Sequence, residues 1–113
     1  MAVIKPISLT ESLPEVQNEE VFETLLSRPG IRLERILSKG QKTPEGTWYE
    51  QSEDEWVLLI QGRAQLCIEG QNELVHLAAG DSLWLPAQCR HRVAWTDPNA
   101  HCIWLALHLA VEP

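Results

Sequence analysis

Apolar and polar positions along this chain change rhythm once, near Gly30. After it, short runs alternate between turn-forming residues, over 31–38, 47–51, 55–61, 63–69, 72–77, 82–85, 90–95 and 100–109. A period of two puts alternate side chains on one face of a strand. Gly62, Gly70-Gln71, Ala79-Gly80-Asp81, Pro86 and Asp97-Pro98-Asn99 separate the runs and supply turn geometry. Seven or eight short strands with little helix predict an all-β sandwich or barrel.

Before Gly30 the pattern differs. Pro6 and Pro14 punctuate an extended lead-in. Asn18 then precedes Glu19 and Glu20, which suits a helix N-cap followed by acids in the first turn. Val21, Phe22, Leu25 and Leu26 recur at helical spacing, and Ser27-Arg28-Pro29-Gly30 closes the segment. The expectation is one short helix of about 8–10 residues packed on the outside of the barrel. Residues 1–30 then form an N-terminal extension and residues 31–113 the barrel.

Two runs are apolar at every position: Trp56-Val57-Leu58-Leu59-Ile60 and Cys102-Ile103-Trp104-Leu105-Ala106-Leu107. An antiparallel sheet with one wet face would alternate. These strands are expected to face the interior on one side and a second layer or a partner chain on the other, which points to a homodimer.

Composition narrows the class. With 113 residues the chain suits one domain, and 44% hydrophobic against 22% charged residues is ordinary for a globular protein rather than a disordered one. A net charge of −7 and the lack of a basic stripe argue against a nucleic-acid partner. No apolar run approaches the ~20 residues of a membrane span, so no membrane partner is expected. Three cysteines, Cys67, Cys89 and Cys102, form no disulfide framework. The start, Met1-Ala-Val-Ile-Lys-Pro6, carries no cleavage pattern, so the expected address is cytoplasmic. Nucleophile-elbow, phosphate-loop and C-x-x-C signatures are absent.

Two spacings carry candidate chemistry. Glu55 is followed by six residues and Gly62; Gly80 is followed by five residues, Pro86, and then His91. These resemble the end of the first motif, G-x5-H-x-H-x3,4-E-x6-G, and most of the second, G-x5-P-x-G-x2-H-x3-N, of the cupin superfamily. The likeness covers roughly residues 31 to 109. A Trp-Tyr-acidic-Gln run before Asp-Glu-Trp-Val-Leu resembles a small single-domain cupin subgroup with no assigned reaction. The resemblance implies a single-domain jelly-roll β-barrel. In the full motif three imidazoles and a carboxylate hold one divalent metal. Here the first motif's histidines fall on Tyr49 and Gln51, or on Trp48 and Glu50 with the longer spacer. Gln88 and Trp95 stand where the second motif has glycine and asparagine.

Strand alternation places Tyr49 and Gln51 inward together, Glu55 with Val57 and Leu59, and His91 with Val93 and Trp95. The expected ligand pocket is Tyr49, Gln51, Glu55, His91 and Trp95. Glu55 and His91, with the weaker donor Gln51, are the candidate ligands for a metal such as Zn, Fe, Mn or Ni. His101, His76 or Cys89 is available to complete such a set. His101 and His108 lie on opposite faces of the last strand, so at most one faces inward. Arg90 and Arg92 are expected to pair with acidic neighbours. Two functions follow: a small-molecule-binding domain, or a metal-dependent oxygenase or isomerase acting on a small polar metabolite.

Overall fold

The run beginning at Trp56 lies between two neighbouring strands of a sheet, with Val57 and Leu59 turned to the core. The structure, a computed structural model, describes residues 3–111. It contains β1 (Val21–Arg28), β2 (Ile31–Ser38), β3 (Glu53–Gln61), β4 (Arg63–Ile68), β5 (Val75–Ala78), β6 (Ser82–Leu85), β7 (His91–Thr96) and β8 (Cys102–Ala110). These form two antiparallel sheets, ordered β1-β2-β8-β3-β6 and β5-β4-β7. Val57, Leu59, Ala64, Leu66, Leu77, Leu85, Trp104 and Ala106 meet between them as the core. This is the expected jelly-roll barrel.

The expected N-terminal helix is absent: the described residues contain no helix, and 21–28 are strand β1. Pro29 and Gly30 make a two-residue turn, with Gly30 at φ +77°, and β1 folds back onto β2 from Arg28↔Ile31 to Val21↔Leu37. Pro followed by a residue of positive φ suits a type II turn. The helical spacing has a different cause. Thr24 pairs with Glu34 but Leu26 pairs with Leu33, so Leu25 is the extra residue of a bulge. Phe22 therefore faces inward beside Ile36, while Leu26 faces outward beside Leu33. A strand that changes faces at a bulge imitates an i, i+3, i+4 stripe, and pairing with a neighbouring strand overrides the local preference.

Two further expectations change. The predicted strand over 47–51 shrinks to one bridge, Tyr49↔His91. Trp95 leaves the face of His91 and Val93: Leu66 pairs with Val93 and Gln65 with Trp95, so Ala94 is a bulge residue. The bulge turns Trp95 to the exposed outer side and lets Thr96 bury instead.

Gly62 joins β3 to β4 at φ +94°, and a Cβ there would lie 2.7 Å from Cys102 Sγ and 3.0 Å from its Cα. Only glycine supplies both the left-handed backbone and the close approach. On the outer side of the larger sheet, Leu26, Leu33, Leu107, Trp56 and Trp84 occupy adjacent register positions across all five strands. The N-terminal segment crosses this side at Arg35, whose guanidinium donates to the carbonyls of Ser8 and Leu9.

Candidate functional site

Glu55 reaches the interior because β3 alternates and Val57 and Leu59, on the same face, are core residues. His91 arrives from the other sheet through a tight turn. Cys89 N–H donates to Pro86 O at 3.1 Å, and Gln88 takes φ +68°. That left-handed position explains why glycine is usual there in the motif. Hydrogen bonds from its backbone fasten this loop to 49–54. Gln88 N–H donates to Gln51 O (2.8 Å), Tyr49 and His91 exchange N–H···O bonds (2.8 and 3.0 Å), and Ala87 N–H donates to Asp54 Oδ1 (2.8 Å).

Glu55 and His91, 8% and 9% exposed, meet with Glu55 Oε1 3.8 Å from His91 Nε2. The His91 Nδ1–H donates to the Cys89 carbonyl at 3.0 Å, which fixes the ring's orientation. A second histidine completes the cluster. His108 pairs in register with Glu55 and is 2% exposed. Its Nδ1–H donates to Gln51 Oε1 at 3.0 Å. Its Nε2 lies 3.0 Å from Glu34 Oε1 and 4.0 Å from Glu55 Oε2. No hydrogen bond reaches this buried atom. Arg32 ties Glu34 (3.5 Å) and Glu53 (3.3 Å). Burial pushes the Glu55 carboxyl above its usual pKa, and the neighbouring His108 offsets part of that rise.

The cluster closes one end of a cavity of about 100 Å³ between the sheets. Ile36, Val57, Leu66, Leu85, Val93 and Trp104 form apolar walls. Phe22 and Tyr49, both exposed, mark the mouth. Glu20 also lines it; Ser38 Oγ donates to this carboxyl, and burial raises its pKa. The volume is below the ~300–1,000 Å³ of drug-sized sites, which suits a small occupant.

Of the residues expected from sequence, Tyr49, Gln51, Glu55 and His91 line this cavity together, and Trp95 does not. Trp95 instead borders an outer groove with Gln65 and His76. Of the histidine pair on the last strand, His108 is the one that faces inward. It was legible from period two, since Trp104 and Ala106 precede it on the core face. Glu34 carried a similar signal through Ile36. Arg90 pairs with Glu69 (2.6 Å) and Glu50 (3.5 Å), and both Arg90 and Arg92 lie over the Trp48 ring.

The family's four-ligand metal set is not reproduced. Glu55 and His91 occupy two positions, while Tyr49 and Gln51 occupy the others and Gln51 Oε1 already accepts from His108. Among the described residues, no three or more His, Cys, Asp or Glu side chains are arranged to hold a metal ion. Nor is any helix among them long and apolar enough to cross a membrane.

Known structures resemble the chain closely. A Ralstonia eutropha JMP134 protein, named only provisionally as a mannose-6-phosphate isomerase, superposes with a TM-score of 0.90 at 42% identity, covering 95% of this chain and 99% of that one. A cupin superfamily protein of Desulfitobacterium hafniense DCB-2 gives 0.77 at 18% identity over 95% and 92%. A Streptococcus pyogenes protein of unknown function gives 0.76 at 20% over 100% and 93%. The last two show likeness of fold alone. No curated protein matches the chain significantly. The family model for the cupin domain matches residues 35–108, from β2 to the cavity's His108. With its paired sheets and the Glu55 and His91 of the two motifs, this chain belongs to the cupin family.

Proposed function

We propose that this domain binds a small molecule between its two sheets. The observation that carries the reading is the cavity itself, with apolar and aromatic walls and a compact polar cluster at one end. In this reading Tyr49 and Phe22 gate the mouth, and Gln51, Glu55, His91 and His108 orient the ligand. Trp104 fluorescence in titrations against small polar metabolites tests it. Ile36→Trp, which fills the cavity, is expected to abolish any binding seen while the domain stays folded. A library without a single response sensitive to that substitution removes the reading.

A second reading is a metal-dependent enzyme, of oxygenase or isomerase type, with Glu55 and His91 as ligands and Gln51 or another histidine completing a reduced set. The observation in its favour is that both imidazoles anchor Nδ1–H on an oxygen acceptor and turn Nε2 toward Glu55, the orientation metal-bound histidines adopt. The likeness to the provisionally named isomerase also supports an isomerase type. Metal analysis of protein purified without added metal decides. Stoichiometric Zn, Fe, Mn or Ni, lost in His91→Ala, favours this reading, and uptake unaffected by His91→Ala removes it.

We further propose a homodimer formed through the outer side of the larger sheet. The register-aligned row of Leu26, Leu33, Leu107, Trp56 and Trp84 supports it, with Trp84 53% exposed. A monomer by light scattering at micromolar concentration removes this proposal.

A further inference from the structure

We propose that the cavity selects small organic cations, such as an alkylammonium, and rejects phosphorylated or carboxylated ligands. The inference rests on the reading of the cavity as a small-molecule site and adds the charge of its occupant.

The argument is an inventory of donors and acceptors. Cys89 O and Gln51 Oε1 can only accept, so the protons on His91 and His108 sit on Nδ1. With Nδ1 so engaged, each ring turns its Nε2 inward. His108 Nε2 is buried, unpartnered and beside Glu34 and Glu55. Glu20, Glu34 and Glu55 bring three carboxyl groups to the lining, and among the described residues no lysine or arginine lines it. The nearest guanidinium of the cluster, Arg32, is engaged by Glu34 and Glu53. If an imidazole takes a second proton, its new N–H already faces a carboxylate at 3.0–4.0 Å. The polar end therefore offers acceptors and negative charge in either state.

An incoming phosphate would meet carboxylates at short range with no free cation to hold it. An ammonium group reverses every sign. It donates to His108 Nε2, Glu34 and Glu55, and its carbon chain lies against Ile36 and Trp104. The rings of Phe22, Tyr49 and Trp104 add faces that attract cations. Volume sets the size, since about 100 Å³ admits a short chain and not a polymer.

The test compares ligands matched in carbon skeleton and differing in head-group charge. Chelator-treated protein is titrated with n-butylammonium, n-butanol, n-butyrate and mannose 6-phosphate, followed by NMR shifts of the Trp104 indole and the His91 ring. The expected order is ammonium, alcohol, butyrate, with about tenfold or more between first and last and no response to mannose 6-phosphate. Glu55→Gln and, separately, Glu34→Gln are expected to weaken ammonium binding at least fivefold, relative to butanol. Butyrate or mannose 6-phosphate binding as tightly as n-butylammonium overturns the inference, as does ammonium affinity unchanged in both variants. Butanol binding without preference for ammonium sinks the charge selection alone and leaves the pocket reading standing. Silence from all four ligands up to tens of millimolar counts against both.

Discussion

Leu58 and Leu59 are neighbours on one strand, yet they answer to different surroundings. Leu59 is fully buried among Val57, Leu66 and Trp104 in the core between the sheets. Leu58 faces the other way, opposite Leu105, on the side where the apolar row ends in exposed Trp84. The inner side of the same sheet also holds Glu34, Glu55 and His108, and the outer side buries Leu37 and Ile103 yet leaves Trp84 and Leu26 exposed. An ordinary soluble sheet has the reverse polarity. The polar end of the inner side belongs to the cavity proposed to bind a ligand, and the apolar row of the outer side is the proposed contact with a second copy.

The contrast can be broken at its strongest point first. Leu59→Ala is expected to destabilise the domain by about 3 kcal/mol in urea unfolding, as cavity-forming changes in a closed core do. Leu58→Ala, read on the monomer, is expected to cost about 1 kcal/mol or less, because its site is already half-open. Equal costs would show that the two sides are energetically alike. Trp84→Glu comes next. It is expected to weaken self-association about a hundredfold in sedimentation equilibrium and leave the far-ultraviolet circular dichroism unchanged. Unaltered association would take Trp84 out of the contact.

A smaller effect sharpens the polar half of the comparison. The folded-state pKa of Glu55 is raised by burial above its ordinary 4.5. The folded protein therefore holds this proton more tightly than the unfolded chain. The stability so gained is full below the unfolded pKa and is lost as pH rises through the raised folded pKa. Glu55→Gln, which stays neutral, is expected to be more stable than the wild type by about 1 kcal/mol at neutral pH, with that advantage fading in acid. Parallel melting curves across pH check the sign, and a constant offset would contradict it. The smallest change lies in the loop that delivers His91. Gln88→Gly relieves a left-handed backbone at φ +68° and is expected to raise stability by about 0.5 kcal/mol, the strain removed exceeding the added freedom of the unfolded chain.

Much of the inner side was legible in one dimension. The spacing from Glu55 to Gly62, and from Gly80 through Pro86 to His91, located the two residues that meet at 3.8 Å. Period two put Tyr49 and Gln51 with them. The two-faced runs at Trp56 and Cys102 were read as strands with the interior on one face and a second layer or partner on the other, and their inner residues Val57, Leu59, Trp104 and Ala106 do lie in the core. Bulges defeated the same rule twice. At Leu25 an extra residue made a strand look like a helix, and at Ala94 one turned Trp95 out of the cavity. Neither bulge leaves a mark in its own segment, because each is defined by the partner strand's register.

Sequence alone therefore determined what depends on short stretches of chain: the strand periods, the turns at Gly62 and Gly80, and the pairing of an acid with an imidazole across two hairpins. Tertiary structure decided what depends on distant segments meeting. It set His108 opposite Glu55 and brought Glu34 beside it. It also sent Phe22 and Leu26 to opposite sides. The reason is physical. Alternation is a local property of an extended backbone, whereas the shape and charge of a cavity come from which strands lie side by side and at what register.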